Sequence, residues 1–361
     1  MRAAIRRQGA LVCDEIADPT PEPGQALVKT LCCGICGSDL HALHHFEHMM
    51  SLARRADGQP VEITTPQDSP DIVFGHEFCV EVLDHGAGGG RLKPGTMAVS
   101  MPIAMDSAGL HTIGYSPLRP GGFAERMVLN DAFLLKVPNG LSAQHAATTE
   151  PFAVGAHAVV QAQLEPGAVC LVVGCGPVGL AVIASLKARG HGPVVAADFS
   201  PRRRQAARAM GADVVLDPAR ESAASSWVQY GVPASGETVR AARMAGKSWA
   251  RPVVFECVGS PGVLESLIES CPPGARIVVA GVCMQTDRIE PSLAITKQLS
   301  LEFVLGYTPD EFATTLTDIA EGRIDPAPIL TGTVGLDEVA GAFEALRSPN
   351  QHVKILVEPG R

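Results

Sequence analysis

Hydrophobic residues in the first 150 positions come in short runs, and turns rich in Gly and Pro separate them. This pattern is typical of β-structure. The runs that predict strands are 26–31, 78–83, 96–100 and 133–137. Helical periodicity is visible in this part only around 39–56. The first part of the chain therefore predicts a β-rich domain.

From about residue 152, strand-like apolar runs alternate with segments of helix length. The predicted strands are 169–173, 194–197, 214–216, 253–256, 277–280 and 301–305, and the predicted helices are 177–189, 201–210 and 262–269. Such alternation favours a doubly wound parallel sheet. After residue 307, two helix-like stretches precede a final apolar run at 353–357.

Composition and charge narrow the class of protein. The 361 residues suit two domains, and 46% of them are hydrophobic. A net charge of −9 gives no electrostatic reason to bind nucleic acid or an anionic membrane. The uncharged run 168–186 approaches membrane-spanning length, but three glycines and Pro177 interrupt it, so we interpret it as a strand, a turn and a buried helix. The N-terminus has no apolar stretch of a secretion signal, and the ten cysteines lack disulfide-module spacing, so we expect a cytoplasmic protein with reduced thiols.

A glycine motif opens the α/β part. The segment 174–179 has the pattern G-x-G-x-x-G, directly after a predicted strand and at the start of a predicted helix. This setting is typical of dinucleotide binding, because the helix N-terminus offers free N–H groups to a pyrophosphate. We expect the contacts from Gly174, Gly176, Pro177, Val178 and Gly179.

An acidic residue follows the motif at the distance expected for ribose recognition. Asp198 ends the next predicted strand and should accept hydrogen bonds from the adenosine ribose hydroxyls. Its charge would repel a 2′-phosphate, which favours NAD over NADP. The arginines at 202–204 complicate this preference, since one of them could bind that phosphate. A glycine turn that binds no nucleotide is the alternative interpretation.

Residues of three metal-binding types cluster in the first part. Cys36 lies in a Gly-rich segment, His76 and Glu77 are adjacent, and Glu150 follows later. Thiolate, imidazole and carboxylate together suit zinc, and a catalytic zinc needs three protein ligands. Cys36 and His76 fill two places, and either Glu77 or Glu150 can fill the third. Each residue alone has an ordinary structural role as its alternative.

Together these segments resemble the zinc-containing medium-chain dehydrogenase/reductase family, in particular its polyol and threonine dehydrogenase branch. The resemblance covers nearly the whole chain and is carried by 34–41, 75–77, 121–125, 150–157, 174–179 and Asp198. It implies an α/β fold with a GroES-like β-rich catalytic domain, residues 1–151 and 308–361. A Rossmann domain, residues 152–307, interrupts that domain, and the catalytic zinc lies between the two.

The resemblance also implies roles for single residues. Asp39 would orient His76, and Ser38 and His41 would form a proton relay. Arg203 would pack over the adenine. Glu77 would bind the metal or lie just behind it, and Glu150 would bind the metal or hold its water.

The implied function is hydride transfer between NAD and a small alcohol or ketone, with a secondary alcohol or polyol as the implied substrate class. A zinc-free NADPH-dependent enone or quinone reductase on the same fold is the first alternative. A protein that stores zinc or binds nucleotides without catalysis is the second. We also expect a homo-oligomer, a dimer or tetramer, as is common in this family.

Two departures from the family pattern are visible. The segment 97–120, where many relatives bind a structural zinc, contains no cysteine, so we expect no structural zinc. His76 follows Cys36 at an unusually long distance because of an insertion at 42–70. This insertion could form a substrate wall lined by Phe46, Met49 and Leu52, a histidine metal site, or a solvated helix and loop.

Overall fold

The computed structural model describes residues 1–58, 69–107 and 109–361. In its first 140 residues, short strands surround one long helix. The bounds are β1 Arg2–Arg7, β2 Ala10–Glu15, β3 Gln25–Gly34, α1 Gly37–Ala56, β4 Ile72–Val73, β5 Glu77–His85, β6 Met97–Val99, β7 Ile103–Asp106, β8 Gly109–Thr112, β9 Arg126–Asn130 and β10 Leu135–Lys136.

The main sheet of this part is built around strand β3. Its strand order is β10-β6-β5-β3-β18-β17, where β17 is Leu330–Val334 and β18 is Lys354–Val357, and β9 also pairs with β3. Strand β5 runs antiparallel to β3 and places Glu77 opposite Gly34. Strands β2, β1 and β4 form a second sheet, and β7 and β8 form a hairpin. The core between these elements contains Phe74, Phe123 and Phe343, whose rings contact one another.

The second half is a layered α/β structure. Its elements are α2 Ala143–Ala147, α3 Thr149–Gln161, β11 Cys170–Val173, α4 Pro177–Ala188, β12 Val194–Ala197, α5 Pro201–Ala209, β13 Val214–Leu216, α6 Ala223–Gln229, α7 Gly236–Met244, β14 Val253–Glu256, α8 Val263–Ser270, β15 Arg276–Val279, α9 Pro291–Lys297 and β16 Ser300–Phe303. The strands are all parallel, in the order β13-β12-β11-β14-β15-β16. This order reverses beside β11, as in dinucleotide-binding folds.

The end of the chain returns to the first half. It carries α10 Pro309–Ala320, β17 Leu330–Val334, α11 Val339–Leu346 and β18 Lys354–Val357. Strand β18 pairs antiparallel with β3, so that Leu356 lies opposite Gly34. This pairing carries Lys354 to the same end of β3 as Cys36.

The predicted fold class is confirmed: a GroES-like part and a Rossmann-like part form a mixed α/β protein. Every predicted strand of the parallel sheet is present within about two residues. The strand predicted at 133–137 is mostly wrong, because Asp131–Phe133 forms a 3-10 helix and only Leu135–Lys136 is extended. The domain bounds stay a prediction; helix α3 runs across the boundary placed between 151 and 152.

Candidate active site

Three residues of the predicted metal site lie together; we name Cys36, His76 and Glu77 the metal cluster. Their ligand atoms all lie within 4.8 Å of one another. Cys36 caps the N-terminus of α1, just after β3, while Glu77 begins β5 and His76 directly precedes it. His76 and Glu77 are buried, and Cys36 is half-buried. A half-buried thiol beside a buried imidazole and a buried carboxylate at this separation fits a zinc ion.

Asp39 lies behind the imidazole of the metal cluster. Its side chain is fully buried, and its Oδ2 accepts a hydrogen bond from the backbone N–H of Cys36 at 3.0 Å. Its Oδ1 lies 3.4 Å from Nδ1 of His76. Burial opposes a charge on this imidazole, but Asp39 and Cys36 outweigh burial and hold the pKa of His76 well above its usual range. The surroundings therefore favour a positive charge at this site.

Glu77 has a partner that the sequence did not reveal. The ammonium of Lys354 donates to both carboxylate oxygens of Glu77, each at 2.6 Å, and to the carbonyl of Ile35 at 3.1 Å. Both side chains of this ion pair are 1% exposed. Gly34 makes room for it, because a Cβ there would overlap Oε2 of Glu77. The signal in the sequence was one lysine inside the apolar run 353–357, since a lysine is rarely buried without a partner.

Glu150 approaches the metal cluster from the first turn of α3, although it is not part of it. Burial raises its pKa to about 7, with a further contribution from Glu77, while His76 and Lys354 act in the opposite direction. The buried hydroxyl of Tyr307 faces the same carboxyl, but it has no hydrogen-bond partner among the described residues. The site therefore contains a second carboxyl group whose protonation changes near neutral pH.

The predicted relay residues occupy the first turn of α1. Ser38 Oγ accepts a hydrogen bond from Tyr115 Oη at 2.8 Å and lies 3.5 Å from Nε2 of His76. Sequence reasoning missed Tyr115. His41 is half-buried, and burial together with His45 lowers its pKa. The side-chain hydrogen bonds of Ser38 among the described residues go to Tyr115 and His76, not to His41.

The glycine motif forms the turn between β11 and α4. Gly174 has φ +89° and ends β11, and Gly176 caps the helix, with Pro177 and Val178 in its first turn. A Cβ on Gly179 would overlap the carbonyl oxygen of Gly174, so the third glycine lets the helix pack against the turn. The first backbone N–H groups of helix α4 have no partner within the helix, which is the arrangement that suits a pyrophosphate.

Asp198 and Arg203 lie beside this turn. Asp198 is 8% exposed, and its carboxylate accepts backbone N–H groups of Cys175 and Ser200, each at 2.7 Å. Nη1 of Arg203 lies 4.0 Å from Oδ2 of Asp198 and close to Gly176. Arg204 instead bonds the carbonyl of Asp198. At the carboxyl ends of β11 and β12, a cavity of about 440 Å³ is lined by Val173, Ala197, Pro218, Ala219, Arg220, Glu221, Ser222, Ala223, Ser266, Leu267 and Ser270.

The segment without cysteines is held by polar side chains, which we name the lobe cluster: Glu22, Asp106, His111, Ser116 and Arg119. His111 bonds Asp106 through Nε2 and Ser116 through Nδ1, both at 3.1 Å. Arg119 Nε donates to Asp106 at 2.6 Å, and its Nη2 reaches Glu22 at 3.3 Å. Hydrogen bonds and ion pairs between these side chains thus hold the segment at 97–120 in place.

The insertion extends helix α1 instead of opening a cleft at Phe46. The expectation that Phe46 lines a substrate wall is wrong, because its ring is 4% exposed and lies 4.9 Å from the guanidinium of Arg6. Arg6 is itself buried and pairs with Glu47 at 2.7 Å. Met49 is partly buried and packs against the core, and Leu52 is exposed. The histidines at 44, 45 and 48 are exposed, and residues 59–68 of the insertion lie outside the described residues.

Comparisons with known proteins match both halves. Residues 22–139 match the model of the alcohol dehydrogenase GroES-like domain, and residues 177–321 match the model of the zinc-binding dehydrogenase domain. The (R,R)-butanediol dehydrogenase of Bacillus subtilis (strain 168) is 31% identical, over 96% of this chain and 96% of the relative. The sorbitol dehydrogenase of the same strain is 26% identical over 100% and 98%. The crystal structure of 2R,3R-butanediol dehydrogenase from Bacillus subtilis superposes with a TM-score of 0.78 at 30% identity, and 99% of both chains is covered.

In the part of the chain that the structure describes, no helix is both long and apolar enough to cross a lipid bilayer. The uncharged run at 168–186 consists of strand β11, the glycine turn and most of helix α4.

Proposed function

The chain belongs to the zinc-containing medium-chain dehydrogenase/reductase family, and we propose that it transfers a hydride between a small alcohol and NAD at one catalytic zinc. The observation that carries this proposal is the metal cluster, whose three different donors lie within 4.8 Å in a buried position. A zinc-free NADPH-dependent reductase would have no use for that donor set.

The metal would be held by Cys36, His76 and Glu77. Glu77 can serve while it is paired with Lys354, because a carboxylate offers about four lone-pair sites and the ammonium occupies two of them. Glu150, whose carboxyl interacts with His76 and Glu77, would then hold a water molecule or the substrate. Zinc bound here would supply Lewis acidity that favours loss of the alcohol proton.

The chain's own residues would bind, orient and deprotonate the alcohol. Ser38 stands next to the ring nitrogen of His76 that faces away from Asp39, which is where an alcohol hydroxyl would lie. We propose that Ser38 accepts the alcohol proton and that His41 passes it to solvent. The lowered pKa of His41 keeps its imidazole neutral and able to accept a proton at neutral pH.

The proposed cofactor is NAD, which would supply the hydride acceptor. Gly174, Gly176 and Gly179 would admit the pyrophosphate, and Asp198 would bind the ribose. Arg203, beside the glycine turn, would pack over the adenine. Asp198→Asn tests the preference: the ratio of kcat/KM with NAD to that with NADP should fall about tenfold, because the repulsive charge is gone. An unchanged ratio would show that Asp198 does not select the cofactor.

The proposed substrates are secondary alcohols with a second hydroxyl nearby. Two relatives are named for butanediol and sorbitol, which both carry vicinal hydroxyls. In this chain, Glu150 and the unpaired hydroxyl of Tyr307 offer polar groups beside the metal cluster that suit such a second hydroxyl.

We also propose a homo-oligomer, since Phe303 and Leu305, at the edge strand β16, are 68% and 88% exposed.

The test is a spectrophotometric screen of vicinal diols, polyols and simple secondary alcohols with NAD and NADP in parallel, beside zinc analysis of the same preparation. We expect turnover of a diol with NAD and zinc in the protein. Turnover of an enone with NADPH by a zinc-free preparation would establish the alternative reductase. Zinc without turnover of any alcohol or ketone would favour a storage role.

A further inference from the structure

The hydroxyl of Tyr115 contacts two residues of the proposed site, yet no step of the proposed reaction uses it. The hydroxyl of Tyr115 lies 2.8 Å from Ser38 Oγ and 3.2 Å from Asp39 Oδ1, so its single hydrogen is shared between these two acceptors, with the shorter contact to Ser38. Ser38 is the proposed proton acceptor, and Asp39 lies behind His76. One phenol therefore links the proposed proton acceptor to the carboxylate that lies behind His76.

The backbone conformation around Tyr115 sets the position of this hydroxyl. Ile113 is fully buried and anchors the loop after the β7–β8 hairpin. Gly114 has φ +87°, and a Cβ on it would come within 3.2 Å of the backbone of Gly75. The loop thus lies directly on the segment that precedes His76, and the ring of Tyr115 lies 5.4 Å from the imidazole. The packing of this loop therefore fixes the position of the phenol, which is not that of a freely rotating surface side chain.

Hydrogen-bond counting shows what the phenol does to Ser38. A serine hydroxyl has one donor and two acceptor lone pairs. Tyr115 occupies one lone pair of Ser38, and the 3.5 Å contact of Ser38 Oγ with Nε2 of His76 would be released when that nitrogen binds the metal, so that one lone pair and the hydroxyl hydrogen remain. A proton relay through Ser38 needs a lone pair that accepts the alcohol proton and a hydrogen that Ser38 donates to the next group. These are the lone pair and the hydrogen that remain on Ser38. Burial, with Asp39 and Cys36, raises the pKa of Tyr115 well above its usual range, so the phenol stays protonated and keeps donating.

We propose that Tyr115 is a positioning residue of this alcohol dehydrogenase site: its hydroxyl fixes Ser38 in the orientation that accepts the substrate proton and links Ser38 to Asp39. This inference rests on the proposed function. Tyr115 does not touch the reacting atoms and acts through Ser38. If the ring of Tyr115 only filled space, the structure would be the same without the hydroxyl.

The first test is Tyr115→Phe, which keeps the ring contacts with His76 and Phe74 and removes only the hydroxyl. We expect kcat to fall about tenfold, because one oriented hydrogen bond is lost, with the alcohol KM within about threefold. The pH at which kcat reaches half of its maximum should rise by roughly 0.5–1 unit. Zinc affinity, measured by competition with a chromophoric chelator, should stay within about threefold, since the three donors and Asp39, which lies behind His76, are all retained. Tyr230→Phe, in the Rossmann half, is the matched control and should change none of these quantities.

The second test is the double variant Ser38→Ala with Tyr115→Phe. If Tyr115 acts through Ser38, the double variant has the kcat of Ser38→Ala alone, because the two effects are coupled. Multiplied losses, or a Tyr115→Phe enzyme with the kcat and pH profile of the wild type, would overturn the inference. A wild-type enzyme that oxidises no alcohol overturns the proposed function and this inference together, whereas an active wild type with an indifferent Tyr115 overturns only the inference.

Discussion

The metal cluster and the lobe cluster both lie in the β-rich part of the chain, and of these two clusters only the lobe cluster is complete without an ion. In the lobe cluster, both ring nitrogens of His111 have partners, and Asp106 is held by His111 and Arg119. In the metal cluster, Nδ1 of His76 is buried without a well-aligned hydrogen bond, and Cys36 adds a thiol beside two carboxyl groups. Three buried carboxyl groups, those of Asp39, Glu77 and Glu150, thus lie at or beside the metal cluster, where the buried basic side chains are Lys354 and His76.

The lobe cluster and the metal cluster therefore stabilise the β-rich part of the chain in two different ways. The lobe cluster satisfies its buried polar groups by pairs within the chain, so its contribution is already present in the folded protein. The metal cluster leaves donors that only a cation can satisfy, so part of its stability comes with the metal. Substitutions in the two clusters should therefore respond differently to zinc.

The largest effect is expected from Cys36→Ser. Removing the thiol from the proposed ligand set should lower kcat by about 10³-fold, since Lewis-acid stabilisation of several kcal/mol is lost. Cys13→Ser, at an exposed cysteine, is the matched control and should retain activity. Full turnover in Cys36→Ser would remove Cys36 from the site.

The next effect is expected from Lys354→Met. It leaves the carboxylate of Glu77 buried and unpaired and should destabilise the metal-free protein by about 3–5 kcal/mol. Zinc should restore part of this loss, because the metal supplies the missing positive charge. Denaturant unfolding with and without zinc measures both quantities, and Lys354→Arg is the charge-preserving control. Equal losses in both variants, unaffected by zinc, would mean that size and not charge matters here.

A pH effect is expected from Glu150 in the metal-free protein. Its pKa is about 7 when folded and 4.5 when unfolded, so its stabilising contribution is present below pH 4.5 and is lost as pH rises through 7. The loss amounts to about 3 kcal/mol at most. Glu150→Gln should flatten the unfolding free energy over this range. An identical pH dependence in the variant would assign the effect to another group.

The smallest effect is expected from Asp106→Asn in the lobe cluster. Losing the charged acceptor of Arg119 and His111 should destabilise the protein by about 1–3 kcal/mol. Zinc content and the zinc dependence of unfolding should stay as in the wild type. Loss of zinc from this variant would show that the two clusters are coupled and would break the comparison.

The parts predictable from sequence are those with local signals. The strands of the parallel sheet are buried on both faces, so they read as continuous apolar runs, and the glycine turn follows one of them directly. Strand β2 is mostly exposed and carries no such run, so it was missed. Cys36, His76 and Glu77 were predicted from residue type and from the family resemblance.

Lys354 and Tyr115 could not be predicted because their partners are remote in sequence. Lys354 meets Glu77 across 277 positions, and Tyr115 meets Ser38 across 77. Only the return of β18 to β3, and the close approach of Gly114 to Gly75, bring these side chains to the site. The predicted partner of Ser38 was His41, three positions on, because the family resemblance implied a relay through these two residues and carried no signal for Tyr115.

The most direct test of the comparison is the zinc content of the purified wild-type protein and of Cys36→Ser by elemental analysis. The two clusters predict one zinc ion per wild-type chain and close to none in the variant, because the lobe cluster needs no ion. Two ions per chain, or one ion retained in Cys36→Ser, would contradict the assignment of the metal cluster as the single zinc site.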